Sequence, residues 1–74
     1  MDLEVRLFAY LREGRDKKVY VKIDESTTVQ DVLDELKISK EDASLILISG
    51  ADGNLDSTFK KGEYLSLFPP VGGG

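Results

Sequence analysis

Leu3, Val5 and Leu7 alternate with Glu4, Arg6 and Phe8, the period-two pattern of a half-buried strand. The odd positions face a core, which leaves Phe8, a large apolar side chain, on the opposite face. Val19, Val21 and Ile23 form a second alternating run, with Tyr20 and Lys22 on its other side. Residues 9–16 hold Gly14 and several charges and read as the connection of an antiparallel hairpin, longer than a tight turn. Val29, Val32, Leu33 and Leu36 then recur at helical spacing, with Gln30, Asp31, Asp34, Glu35 and Lys37 on the polar side. Thr28 is the expected N-cap, and Asp31 completes a capping-box-like pair near the positive end of the helix dipole. A shorter helical turn is expected to start at Ser39.

Leu45-Ile46-Leu47-Ile48 is continuously apolar and reads as a strand covered on part of both faces. Gly50 to Asn54 is a turn, Leu55 to Phe59 a short edge strand plus a helical turn, and Lys61-Gly62 a further turn. In the last apolar run Leu65 and Leu67 point one way, and Tyr64, Ser66 and Phe68 the other. The order strand, strand, helix, strand, short elements, strand is an α+β pattern, with one main helix on one face of a mixed four- to five-stranded sheet. The β-grasp fits it: the last strand lies parallel to the first, a pairing whose long crossover the helix supplies. Phe8 and Phe68 would then end neighbouring strands on the face away from the helix. Tyr20 and Tyr64 share that face, so an apolar or aromatic patch there is a candidate docking surface.

Composition narrows the chemistry. Seventy-four residues make one domain, near the lower size limit for an unaided core. With no cysteine and no histidine, disulfides, thiolate chemistry, Cys-ligated zinc and the usual general base are all excluded. A net charge of -4 argues against general nucleic-acid binding, which needs a basic footprint. No apolar run approaches a membrane span and no signal-peptide pattern opens the chain. The expected setting is cytoplasmic.

The chemistry that remains is at the end. After Phe68 come Pro69, Pro70, Val71 and then Gly72, Gly73 and Gly74. Proline fixes its own φ and biases the preceding residue toward extended geometry, so this segment runs outward. The domain is read as residues 1–71 and the glycine tail as 72–74, the last four residues reaching roughly 14 Å when extended. A tail without side chains can enter a tunnel too narrow for any side chain, presenting the Gly74 carboxylate as the reactive group. On the glycines alone, a frayed terminus fits as well.

Other candidates carry less. Gly50-x-x-Gly53 lacks the Gly-Lys-Ser/Thr and opening helix of a phosphate loop. Asp31, Asp34 and Glu35 form a solvated helix face rather than a metal site, Glu41-Asp42 is helix-start charge, and Lys17-Lys18 and Lys60-Lys61 are solubilising loop pairs. No metal ligands and no acid–base pair converge on a pocket, so no catalytic apparatus of the chain's own is expected.

Leu7-Phe8-Ala9-Tyr10-Leu11-Arg12-Glu13, together with Leu67-Phe68-Pro69-Pro70-Val71 and the terminal glycines, resembles the MoaD-type sulfur carriers, the small subunits of molybdopterin synthase. These share the ubiquitin-like β-grasp with the ThiS-type thiamine carriers. The resemblance runs along the whole chain and is most specific at its Phe-Pro-Pro-Val-x-Gly-Gly ending. The chain is shorter than many members after Arg12-Glu13 and around the helix. Its three final glycines resemble ThiS-type tails, whereas the Pro-Pro is MoaD-like.

The resemblance implies a chemistry located at Gly74. A C-terminal carboxylate, with a pKa of ~3.5, is ionised at neutral pH and a poor electrophile. A ubiquitin-activating-type adenylyltransferase (MoeB- or ThiF-like) would convert it to an acyl-adenylate with ATP and Mg²⁺, and a sulfur donor would displace AMP to leave a thiocarboxylate. No cofactor is expected on the chain itself. Gly73 and Gly74 would enter the partner's channel, with Gly72 lengthening the tether. Phe8, Phe68 and Pro69 would dock the domain, with Tyr64, Pro70 and Val71 beside them. In the MoaD-like role the tail then enters a MoaE-like large synthase subunit and gives its sulfur to the pterin precursor of the molybdenum or tungsten cofactor. The alternatives are a ThiS-like role in thiazole formation, a ubiquitin-like modifier conjugated through Gly74, and an interaction module with an inert tail.

Overall fold

The computed structural model describes residues 1–70, and the expectations that fall on Val71, Gly72, Gly73 and Gly74, including the domain limit at 71, lie outside the described residues. Five strands form one mixed sheet: β1 (Asp2–Leu7), β2 (Lys18–Lys22), β3 (Leu45–Ile48), β4 (Ala51–Asp52) and β5 (Tyr64–Phe68), in the order β2-β1-β5-β3-β4. β1 pairs antiparallel with β2 and parallel with β5, while β3 pairs antiparallel with both β5 and β4. The central parallel pair flanked by antiparallel neighbours is the β-grasp arrangement. A single α-helix, α1 (Val29–Leu36), lies among the described residues.

Period-two patterning places the odd residues of β1 inside: Leu3, Val5 and Leu7 are buried, as are Leu65 and Leu67 of β5. They join Val29, Val32 and Leu33 from α1 in one core. The Thr28 hydroxyl accepts the Asp31 N–H while the Asp31 carboxylate accepts the Thr28 N–H, a full capping box. Lys37, with φ +59°, ends the helix in the left-handed region, and the Ile38 N–H reaches the Leu33 carbonyl at 2.9 Å, a Schellman-type closure. Arg15 adds a guanidinium bond to the Leu36 carbonyl at 3.1 Å, satisfying one of the carbonyls a helix end leaves open.

Three sequence expectations are corrected. The connection after β1 contains a 3₁₀ helix, Ala9–Arg12, whose Leu11 enters the core. The turn expected from Gly50 to Asn54 is shorter. Ser49 and Gly50, both with positive φ, make a two-residue turn, and Ala51–Asp52 pair back onto β3, as a type I′ hairpin requires. Leu55 to Phe59 is neither strand nor helix, because its backbone serves α1. The Ser57 and Leu55 carbonyls accept the Val29 and Gln30 N–H groups at 3.0 Å each, two of the donors that a helix start leaves unpaired, and Phe59 falls into the core. The apolar run of β3 is covered on part of both faces as expected, with Ile46, Leu47 and Ile48 partly buried and Leu45 exposed at 45%. The turn at Ser39 forms as expected, with the Ala43 N–H on the Ser39 carbonyl.

Candidate functional site

The parallel register of β1 and β5 sets the site. Glu4, Val5, Arg6 and Leu7 lie opposite Tyr64, Leu65, Ser66 and Leu67, and the ladder runs one step further through the Phe8 N–H to the Leu67 carbonyl, 3.2 Å. Phe8 and Phe68 therefore leave the two strands side by side on the face away from the helix. Their rings stack with centroids 4.2 Å apart and planes 10° from parallel, a close, nearly parallel aromatic contact just under the usual separation of about 4.5–7 Å. Phe8 remains extended (φ -120°, ψ 151°), and Ala9 turns the chain away with φ +54°. The Arg12 Nε then donates to the Leu7 carbonyl at 2.9 Å, holding its guanidinium carbon 5.7 Å from the Phe8 ring centre, in cation–π range.

Across β5 from this stack lies Leu45, paired with Phe68. Phe8, Ala9, Ser44, Leu45, Phe68, Pro69 and Pro70 line a shallow groove of about 380 Å³. Its walls are largely apolar, and it lies where the chain leaves the sheet toward residue 71. A larger hollow of about 690 Å³ opens between Met1, Ile23, Asp24, Phe59 and Lys60, residues apart from this strand end. Of the expected docking residues, Phe8, Phe68, Pro69 and Pro70 come together here.

Tyr64 is on the same face but in different company. The Arg6 guanidinium carbon sits 3.9 Å from its ring centre and the Arg6 Nε is bonded to the Glu4 carboxylate. That bond holds the Glu4 carboxyl below its usual range and raises Arg6. Tyr20, opposite Glu4 on the outer strand β2, is exposed at 65%. The expected aromatic patch thus resolves into a Phe8–Phe68 platform, an Arg6-covered Tyr64, and a separate Tyr20. The Glu4–Arg6 row of β1 divides them.

Sequence reasoning did not single out Arg6, Arg12 or Leu45 for the site. Leu45 carried a usable signal: in a two-sided strand beside Ile46 and Ile48, its parity matches Phe68 once the antiparallel pairing is fixed. Arg12 carried none outside the family motif, because only the left-handed turn at Ala9 brings it back over Phe8. Among the described residues no cluster of acidic or other ligating side chains could hold a metal ion, and no helix is long and apolar enough to cross a membrane.

Comparison with known proteins agrees with this geometry. The ThiS family model matches residues 5–74, and no curated protein matches the chain. Among solved structures, SAMP1 from Haloferax volcanii is 31% identical over the whole of both chains, with a TM-score of 0.77. A Pyrococcus furiosus protein described as molybdopterin converting factor subunit 1 is 26% identical, covering 96% of this chain and 99% of its own, with a TM-score of 0.74. A chain in the Helicobacter pylori complex of subunits 1 and 2 of molybdopterin-converting factor is 28% identical over the whole of both chains, with a TM-score of 0.66. The chain belongs to the ThiS family, the small ubiquitin-like sulfur carriers of ThiS and MoaD type.

Proposed function

We propose that this domain carries sulfur on Gly74 as a MoaD-like small subunit in molybdopterin biosynthesis. The observation that carries the reading is the stacked Phe8–Phe68 pair, followed at once by Pro69-Pro70, at the end of the central parallel strands. A rigid apolar platform beside the departing chain suits a partner that must grip the domain while the last glycines reach an active site. The Gly74 carboxylate attacks the α-phosphorus of ATP, releasing pyrophosphate, on a MoeB- or ThiF-like adenylyltransferase that supplies Mg²⁺. Hydrosulfide then attacks the acyl carbon, AMP leaves with the bridging oxygen, and a thiocarboxylate remains. Positive charge, metal and proton transfer belong to the partner. The Helicobacter pylori relative forms a complex with subunit 2 of its converting factor, which supports a MoaE-like subunit as the acceptor of the charged tail.

A second reading has its own support. The similarity to SAMP1, described as a small archaeal modifier protein, favours conjugation of Gly74 to lysine amines from the same acyl-adenylate. A ThiS-like role in thiazole formation shares all steps up to the thiocarboxylate. The test is reconstitution of sulfur transfer to the pterin precursor with a MoaE-like subunit. Deleting Gly73 and Gly74 abolishes transfer and leaves the fold intact, under the MoaD-like reading. Higher-mass conjugates on a denaturing gel, lost with the same deletion and appearing without any pterin product, would instead favour the modifier.

A further inference from the structure

The chain is acidic overall, at net -4 with ten Lys and Arg residues, yet Arg6, Arg12, Lys17 and Lys18 line a single hollow of about 160 Å³ beside Leu7 and Phe8. No carboxylate lines it. Among the described residues only Arg6 of this set is in an ion pair, with Glu4. Arg12 spends its Nε on the Leu7 carbonyl, and no described residue bonds its terminal guanidinium nitrogens. Lys17 and Lys18 are exposed. The hollow shares Phe8 with the apolar groove, so platform and cations form one continuous surface.

We propose that this hollow is a socket for acidic side chains, Asp or Glu, of the protein partner that grips the Phe8–Phe68 platform; the inference rests on the docking reading above. Its size suits one or two carboxylates, and a guanidinium fork pairs well with a carboxylate. A polyanion fits poorly, because Glu4, Glu13 and Asp16 flank the cations and nucleic acid needs a longer basic track. A free oxyanion also fits poorly, since exposed cations screened by salt hold a lone ion weakly. A carboxylate delivered by an already docked partner meets the cations at high effective concentration. Charge complementarity at a rim of this kind sets partner choice and association rate.

The test measures binding to a MoeB- or ThiF-type adenylyltransferase that activates the wild-type chain, at low and at high salt. The probes are the wild-type chain, Lys17→Glu/Lys18→Glu and Phe68→Ala. Both lysine side chains are exposed and only their backbones pair, so circular dichroism should show an unchanged fold. The double reversal is expected to weaken binding at least about tenfold at low salt and to remove most of the salt dependence. Reversing one acidic partner residue should recover part of the loss. Wild-type-like affinity and salt dependence in the double reversal, with Phe68→Ala still impaired, would overturn the socket and leave the docking reading standing. Failure of the wild-type chain to bind or be adenylated would overturn both. Saturable binding of inorganic phosphate to the free domain, shifting the Lys17 and Lys18 amide resonances, would reassign the hollow to a free oxyanion and overturn the proposal.

Discussion

Phe68→Ala separates a docking role from a packing role, because Phe68 and its neighbour Leu67 leave the same strand on opposite faces. Leu67 is fully buried, and truncating such a leucine to alanine costs about 3 kcal/mol, within a range of roughly 2–5. Phe68 is half-buried and its main fixed neighbour is Phe8, 4.2 Å away. Removing its ring forfeits ~1 kcal/mol of stacking and ~1 kcal/mol for the part of the ring already out of water. The expected stability loss is therefore about 2 kcal/mol by urea denaturation, below the roughly 3 kcal/mol expected for Leu67→Ala. An aromatic anchor at the centre of an interface contributes at least about 2 kcal/mol to binding, or roughly thirtyfold in Kd. Titration calorimetry against the activating enzyme should show that loss in the folded variant. A stability loss matching that of Leu67→Ala, with Kd unchanged, would refute the docking platform and make the Phe8–Phe68 stack a packing feature.

Other expectations concern the scaffold. Thr28→Ala removes half of the capping box and should lower stability by ~1 kcal/mol, read from the urea midpoint. Gly50→Ala meets no atom within 4 Å but retains a φ of +86°, so it should cost about 1 kcal/mol through the backbone alone, without changing the denaturant slope. Glu4 has its folded-state pKa lowered by the Arg6 hydrogen bond. Its contribution is thus present above the unfolded carboxylate pKa and lost as pH falls through the lower folded value. Glu4→Gln should accordingly be less stable than wild type at neutral pH, with the difference closing in acid. A difference that is constant across that range would show that the pair contributes nothing.

The strands and helix were legible because each follows one rule at a time. Leu3, Val5 and Leu7 alternate, Val29, Val32 and Leu33 recur at helical spacing, and Thr28 with Asp31 announce the cap. What escaped the sequence depended on how elements meet. Phe59 carries no periodic signal, since its segment is shaped by the unpaired N–H groups of α1 that Leu55 and Ser57 satisfy. Leu11 enters the core only because the chain turns sharply at Ala9. The open-face parity of Phe8, Tyr20, Tyr64 and Phe68 was correct, yet it did not make them neighbours. Lateral spacing comes from strand order, and β1 inserts Glu4 and Arg6 between the two tyrosines. The stacked pair itself was foreseeable, because placing β5 parallel to β1 carries residue 68 to the side of residue 8.

The central claim concerns the atom bonded to the carbonyl carbon of Gly74. The most direct measurement is the intact mass of the full chain after incubation with ATP, Mg²⁺, a MoeB- or ThiF-type activating enzyme and a sulfide source. Exchange of one oxygen for sulfur adds about 16 Da, and the adenylation route predicts that gain, localised by fragmentation to Gly74 and absent without ATP. An unchanged mass, with a competent carrier converted in parallel, would contradict the assignment of this chain as a sulfur carrier.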